Sequence, residues 1–244
     1  MRLNKYIAES GECSRRKADR LIEDGLVLVN EKKAVVGQKI DSEKDKVKIS
    51  GKQIETEKDL IYYALNKPRD VISAVSDSTD RKKVTDFVPE KPRVYPVGRL
   101  DFDSQGLIIL TNDGELTQKL THPSFEHQKE YFVRARASSS QYQGTLQMHK
   151  KIKYEFEKGI IIDGQLMKAD SVANIKSGGE GMRDISFDII LHTGFNRQIR
   201  RMCENIHLDV VKLTRTRICK LRLKELGIAL GEYREISRKD ILNE

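Results

Sequence analysis

The stretch VGRLDFDSQGLIILTNDG, residues 97–114, decides how the larger part of this chain folds. Its second half, GLIILT at 106–111, is an unbroken apolar run of the length of a buried strand. The Asn-Asp-Gly turn signal at 112–114 ends that run. The first half is polar and carries two carboxylates, Asp101 and Asp103. The stretch therefore predicts a buried strand directly preceded by candidate chemical groups.

The sequence around this strand predicts a mixed, mainly antiparallel sheet with flanking helices, which is an α+β fold. YFVRARA at 131–137 alternates large and charged residues, as a half-buried strand does. Other strands are predicted over 60–65, 71–75, 94–97, 158–162, 168–175 and 185–191. The last two are joined by the glycine-rich turn SGGEG. Helices are predicted over 139–150 and 196–206, the second with Asn196 as its cap.

The first 54 residues predict a separate small unit of two helices and a short β-hairpin. Leu3, Tyr6 and Ile7 recur at helical spacing, and Ser14 is a good N-cap for a second helix over 15–24 that ends at Gly25. Strands are predicted over 26–30 and 47–49. So small a unit buries little surface, which favours a binding role over a catalytic one. We expect domains at 1–54 and 61–244, joined by a polar linker at 55–60.

Composition narrows the class of protein. Hydrophobic residues make up 38% of the chain, enough for a core. No apolar run approaches the ~20 residues of a membrane span. The opening MRLNKYIAES lacks the apolar region of a signal peptide, so the expected location is the cytoplasm. The three cysteines are far apart and form no CxxC pair, so neither a disulfide framework nor a metal site is expected.

The formal net charge of +8 is compatible with a polyanionic partner. Within residues 193–222, eight Arg or Lys residues stand against two acidic residues. We expect this basic cluster to face solvent or phosphate, and its arginine bias favours planar, bidentate recognition.

Four other stretches accompany residues 97–114 in a fixed order: ALNKP at 64–68, HQKEYFV at 127–133, GFNRQIRRMCE at 194–204, and TRTRI at 214–218 followed by LGEYREI. Together they resemble the motifs of the pseudouridine synthases. More narrowly, they resemble the branch that acts on ribosomal RNA and includes small-subunit synthase A and large-subunit synthases B, E and F. RLNKYI, CSRR, DSQGLI and NRQIRRMCE are most similar to the synthase F subgroup. Residues 2–30 resemble the small RNA-binding domain of the S4 type.

The resemblance implies the isomerisation of uridine to pseudouridine in structured RNA, without a cofactor, by Asp101 of GRLD. A carboxylate can act as nucleophile or can stabilise the transition state. Whether Asp101 attacks the base or the sugar stays open. The resemblance gives Arg200 as the basic partner that keeps this carboxylate ionised. It gives Tyr131 as the tyrosine that stacks on the base and helps to move the C5 proton.

The remaining site candidates bind RNA. Arg99 matches the position whose side chain enters the RNA where the target nucleotide leaves; its alternative is a salt bridge to Asp103. Lys67 and Pro68 are interpreted as structural. Phosphate contacts are expected from two basic helix faces, consisting of Arg15, Arg16, Lys17 and Arg20 in the first domain and Arg197 and Arg201 in the second. A solvated basic surface is the alternative for these groups.

The resemblance implies ribosomal RNA of the large subunit as the partner, with tRNA as a second option, and no membrane. A monomer is the default expectation. The residues alone leave two other functions possible. Asp101 and Asp103 form a glycosidase-like carboxylate pair if they share one strand face, although the chain has no Trp platform. An RNA-binding assembly factor without chemistry is the other.

Overall fold

The computed structural model describes residues 1–57, 59–137, 146–179 and 183–242. In chain order the helices are α1 (Leu3–Glu9), α2 (Arg15–Glu23), α3 (Gly114–Thr121), α4 (Leu146–Lys158), α5 (Gln198–Asn205), α6 (Leu223–Leu226) and α7 (Arg238–Ile241). The strands are β1 (Val27–Val29), β2 (Lys32–Lys33), β3 (Val47–Ile49), β4 (Lys52–Ile54), β5 (Tyr62–Lys67), β6 (Tyr95–Pro96), β7 (Gln105–Thr111), β8 (Lys129–Ala137), β9 (Ile160–Ile162), β10 (Gln165–Met167), β11 (Ser171–Gly178), β12 (Asp184–Leu191), β13 (Leu208–Ile218), β14 (Leu221–Arg222) and β15 (Tyr233–Glu235).

The N-terminal unit has its own core between α1, α2 and a four-stranded sheet in the order β2-β1-β3-β4. Ser14 caps α2 as predicted, because its side chain accepts a hydrogen bond from the backbone N–H of Lys17 at 3.3 Å. The apolar positions of α2, including Ala18 and Ile22, face this core. Its basic positions are left on the outside, and β4 ends at Ile54.

The larger unit is built on a nine-stranded sheet whose main path runs β11-β12-β8-β13-β7-β5-β15. β5 and β7 are buried along their whole length, because apolar clusters cover both faces of the sheet there. Successive residues of β7 alternate between the clusters: Leu107 belongs to one and Ile108 to the other. The unbroken apolar run at 106–111 is therefore explained by a strand with two covered faces.

The other half of the sheet, β11, β12 and β8, is covered on one face by α4 and α5. β8 alternates accordingly, with Val133 and Ala135 buried and Arg134 and Arg136 exposed. The sequence predicted this alternation, and the α+β class with mostly antiparallel pairing is confirmed.

β13 joins the two halves. It runs antiparallel to β8 and parallel to β7, with Arg215 opposite Gly106. The backbones approach so closely here that a Cβ atom on Gly106 would lie 2.4 Å from the carbonyl oxygen of Arg215. Gly106 also has φ of 108°, a conformation that side chains disfavour. Glycine is therefore required where the halves meet.

Several sequence expectations differ from the structure. The strand predicted over 71–75 is absent except for one isolated bridge, Ile72 to Lys83, because the segment bends where serines replace the apolar alternation. The turn at 112–114 also begins α3, which Asp113 caps by accepting from the N–H of Leu116. Much of the helix predicted over 139–150, and part of the SGGEG turn, lies outside the described residues. None of the described helices is long and apolar enough to cross a membrane.

Candidate active site

The segment that carries Asp101 is a tight turn at the entrance to β7. The N–H of Ser104 donates to the carbonyl oxygen of Asp101 at 3.1 Å, which closes a β-turn over 101–104. Asp101 is the first residue of this turn. Its side chain is 34% exposed and therefore reachable from solvent.

Five donors from other parts of the chain hold this turn and the residues before it. Ser73 Oγ donates to Leu100 O at 2.7 Å. The backbone N–H of Asp70 donates to Phe102 O at 2.9 Å. The remaining three are cationic side chains: Lys67 Nζ donates to Ser104 O (2.8 Å), Arg200 Nη2 to Asp103 O (3.1 Å) and Arg215 Nη1 to Arg99 O (3.5 Å). The backbone around Asp101 is therefore fixed before any substrate binds, as catalysis by positioned groups requires.

Lys67 is fully buried beneath the turn, and its ammonium group also donates to Pro68 O at 3.0 Å. Burial and the nearby charge of Arg215 lower its pKa to about 8, although the carboxylates of Asp101 and Asp103 act in the opposite direction. Its contacts are structural, as the sequence indicated.

Two guanidinium groups meet the two carboxylates. Arg197 pairs in a bidentate manner with Asp103, at 3.1 and 3.2 Å, and its Nη1 lies 3.9 Å from Asp101 Oδ2. Arg200 Nη2 lies 3.3 Å from Asp103 Oδ1 and donates to Ser104 Oγ. The ion pair of Arg200 is therefore formed with Asp103, while the charge of Asp101, its expected partner, also acts on it. Arg197 is the cation within ion-pair distance of Asp101.

Electrostatics of this cluster favour the ionised form of Asp103. Burial raises the pKa of Asp103, but hydrogen bonds from Arg197 and the charge of Arg200 outweigh it, so the pKa lies below its ordinary value. Burial lowers the pKa of Arg200, whose side chain is 13% exposed. The Nε of Arg200 is buried without a hydrogen-bond partner among the described residues.

Arg197 reaches both carboxylates because its backbone is left-handed, with φ of 50°. It occupies the N-cap position of α5 without a side-chain cap, so the predicted cap at Asn196 is wrong. The local signal is instead the next residue, Gln198. Its Oε1 accepts from Thr193 Oγ1 and from the N–H of Phe195, which closes the loop before the helix.

A cavity of about 290 Å³ opens beside Asp101. Tyr131 on β8 lines it together with Asp101, so the structure brings these two predicted residues to one site. Arg99, Arg197 and Phe195 also line it; Phe195 was not identified as a site residue from the sequence, although it lies inside the GFNRQIRRMCE motif. The volume lies just below the ~300–1,000 Å³ of sites for drug-sized ligands, which suits a single nucleoside.

The predicted RNA-binding residues lie in different surroundings. The four basic residues of α2, Arg15, Arg16, Lys17 and Arg20, are all exposed. Arg99 is exposed as well, and its alternative salt bridge is not formed in the described structure, where Asp103 pairs with Arg197 and Arg200. Arg201 pairs with the highly exposed Asp163.

The basic cluster at 193–222 does not form one solvent-facing surface, contrary to expectation. Arg215 is 3% exposed, and its Nε donates to Leu107 O at 2.7 Å. Arg217 and Arg222 share the carboxylate of Glu130. These side chains hold strands together because β13 lies inside the sheet. In the ranges that the structure describes, no group of three or more His, Cys, Asp or Glu side chains could hold a metal ion.

Comparisons with known proteins show the family and the fold of the chain. A family model described as RNA pseudouridylate synthase matches residues 61–205, and a model described as S4 domain matches residues 1–47. The chain is 41% identical over 245 residues to the dual-specificity RNA pseudouridine synthase RluF of Escherichia coli (strain K12), a match that spans 100% of this chain and 78% of that protein. It is 38% identical over 242 residues to the ribosomal large subunit pseudouridine synthase B of Bacillus subtilis (strain 168). That match spans 98% of this chain and 93% of that protein. A crystal structure of a pseudouridylate synthase has the same fold, with a TM-score of 0.63 and 24% identity over 99% of this chain and 98% of that one.

Proposed function

The chain belongs to the RNA pseudouridylate synthase family and carries an S4 domain, and from that premise we propose that it modifies uridine in structured ribosomal RNA of the large subunit. The similar protein from Bacillus subtilis bears a large-subunit name, and the similar Escherichia coli protein is called dual-specificity, so tRNA is the second candidate. The family reaction isomerises uridine to pseudouridine. The finer assignment concerns the RNA and the residues.

The proposal is carried by the carboxylate of Asp101 at a nucleoside-sized cavity, 3.9 Å from the guanidinium of Arg197. In the reaction the bond from N1 of uracil to C1′ of ribose breaks, and a bond from C5 to C1′ forms. The proton on C5 is lost and N1 gains one, so no oxidant or cofactor is needed. Asp101 is proposed to supply the negative charge, at the base or at the sugar.

Tyr131 is proposed to stack on the base and to help move the C5 proton, since it lines the same cavity. Arg200 is proposed to act as the fixed cation behind the turn. Arg99 is exposed at the cavity rim, which supports a role in filling the place that the extruded nucleotide leaves. Arg201 and the basic residues of α2 are proposed to contact phosphates. For Arg197 the two hydrogen bonds to Asp103 favour holding carboxylates over binding phosphate.

RNA binding and catalysis are assigned to different domains. We place the S4-type domain at 1–54, a linker at 55–60 and the catalytic domain at 61–244. A monomer in the cytoplasm is proposed as the working form, since one chain contains both the RNA-binding domain and the catalytic domain. Light scattering of the purified chain, with and without RNA, tests the monomer.

Tritium release from RNA labelled at uridine C5 tests the catalytic assignment. The wild-type chain is expected to release tritium from a large-subunit transcript, and Asp101→Asn is expected to abolish release. Asp209→Asn is the matched control, because Asp209 is exposed at the far end of β13 from Tyr131. Retained release in Asp101→Asn contradicts the assignment. Sequencing of carbodiimide-treated rRNA from a strain without the gene then locates the uridine; an unchanged rRNA pattern directs the search to tRNA.

A further inference from the structure

Phe102 is an exposed aromatic residue directly beside the catalytic carboxylate. It occupies the second position of the turn over 101–104, and 43% of the residue is exposed. Its Cα lies ~3.8 Å along the chain from that of Asp101. The ring does not line the 290 Å³ cavity and has no aromatic partner among the described residues. Neither the fold nor the reaction described above accounts for its exposure.

Arg69 lies next to this turn. The N–H of the following residue, Asp70, donates to Phe102 O at 2.9 Å, which aligns the two segments. Arg69 is exposed. Among the described residues, the carboxylates of the turn, Asp101 and Asp103, pair with Arg197 and Arg200 and not with Arg69. Its charge is close enough to Arg200 to add to the lowering of the pKa of that group, which burial mainly causes. Arg69 is thus a cation that lies near a second cation and has no ion pair with the carboxylates of the turn. Such a group is suited to an anionic ligand.

The backbone that carries both side chains is rigid. Ser73 fixes Leu100 O before Phe102, and Arg200 fixes Asp103 O after it, so the backbone is held on both sides of the exposed ring. Exposed aromatic rings on a fixed backbone stack on unpaired bases, and adjacent arginines bind the phosphates between them. Extrusion of the target uridine also removes a stacking partner from its neighbour.

We propose that Phe102 and Arg69 form a positioning site for the nucleotide next to the target uridine, with the ring of Phe102 stacked on its base and the Arg69 guanidinium paired with its phosphate. This inference rests on the proposed function. The site holds the RNA in register with Asp101 and takes no part in bond making. Its loss therefore affects KM more than kcat.

Steady-state kinetics on a stem-loop that carries the mapped uridine provide the first test. Phe102→Ala is expected to raise KM about ten-fold, the effect of losing one base stack, while kcat changes less than three-fold. Phe102→Tyr is expected to restore KM, because the ring is retained. Tyr154→Ala is the matched control, since Tyr154 is 61% exposed on α4. A KM unchanged in Phe102→Ala, or not restored by Tyr, overturns the stacking role.

Abasic substrates provide a test that a merely structural role would not satisfy. Each nucleotide flanking the uridine is replaced in turn by an abasic residue. At one position the wild-type KM is expected to rise about ten-fold, while the KM of Phe102→Ala stays unchanged. The inference is overturned if, at every flanking position, the abasic residue raises the KM of Phe102→Ala by the same factor as it raises the KM of the wild type.

The phosphate contact is tested by salt dependence. Arg69→Ala is expected to reduce the slope of log binding constant against log salt by about 0.7, the value for one phosphate on a single strand. Lys150→Ala on α4 is the control. An unchanged slope overturns the role of Arg69. If the wild-type chain releases no tritium, the proposed function fails too; if it releases tritium while these variants match it, the positioning site alone is wrong.

Discussion

Arg197 shows how a single residue defines the site. A left-handed backbone at a non-glycine residue costs about 1–2 kcal/mol, and such conformations persist where the surrounding structure imposes them. Here the fixed loop before α5 imposes it, and the guanidinium is directed between Asp101 and Asp103.

Arg197→Lys is expected to lower kcat by about 10²-fold, since a lysine cannot hold Asp103 with two bonds and still reach Asp101. Single-turnover tritium release measures the change. Arg136→Lys on β8 is the control, because Arg136 is exposed and pairs only with Asp184 among the described residues. A rate within three-fold of wild type would show that the bidentate geometry of the Arg197 guanidinium is unimportant.

Asp103 contributes a pH-dependent part of stability. Its pKa is below the ordinary 3.8 in the folded chain, so protons bind the unfolded chain first as the pH falls. The stabilisation is therefore fully present above about pH 4 and is lost as the pH falls through the lower, folded value.

The difference in unfolding free energy between wild type and Asp103→Asn is expected to be largest at neutral pH and to shrink below pH 4. Urea denaturation at pH 7, 5 and 3.5 measures it, and contributions of other carboxylates cancel in the difference. A difference that stays constant over this range contradicts the ion-pair origin.

At the scale of residues, local motifs predicted site roles for Asp101, Tyr131, Arg197 and Arg200, and the structure places the first three around one cavity. It did not predict which arginine meets which carboxylate. That pairing depends on the left-handed backbone at Arg197 and on the position of Asp103 between the two groups. The only local signal is Gln198, which closes the loop before α5. The position of Asp103 depends on contacts between distant segments, such as the bond from Arg200 to Asp103 O.

At the scale of elements, the contact between β7 and β13 is the most demanding feature of the sheet. Gly106→Ala would place a Cβ atom 2.4 Å from a backbone oxygen at a disfavoured φ. We expect destabilisation of at least about 3 kcal/mol, from overpacking together with strain.

Thermal and urea unfolding measure this loss. Gly164→Ala is the matched control, because Gly164 also has positive φ, 74°, but has nothing within 4 Å of the added atom. Only backbone strain of about 1–2 kcal/mol is expected there. Equal losses at the two glycines would show that the close approach of the strands is not the cause.

β13 is also one of the elements that the sequence did not predict. Its register against β8 shifts twice, between Val210 and Lys212 and between Arg215 and Arg217. Each irregularity breaks the alternation of apolar and polar residues by which a strand is recognised. β7 was predicted because its run is apolar throughout, and β8 because its alternation is regular.

At the scale of the whole molecule, the proposed function assigns the basic face of α2 to RNA affinity and the larger unit to chemistry. Replacing Arg15, Arg16, Lys17 and Arg20 by serine is expected to raise KM and leave kcat within three-fold. The slope of log binding constant against log salt is expected to fall by about 0.7–0.9 for each phosphate that the variant no longer neutralises. Filter binding at several salt concentrations measures it.

The control replaces four exposed lysines of the catalytic unit: Lys150, Lys153, Lys224 and Lys239. It changes the net charge by the same amount. If both sets reduce the slope equally, total charge rather than the face of α2 determines RNA affinity. The exposure of that face followed from the sequence, because the apolar stripe of α2 fixed which side is buried.

The order of strands has a consequence for the making of this protein. Asp101 precedes β7 and Tyr131 lies on β8, but these strands meet only through β13, which is synthesised later than both. A nascent chain therefore has its carboxylate and its tyrosine on two unjoined half-sheets until residue 218 has been added. The cavity that Asp101 and Tyr131 share is therefore completed only after β13 has been made.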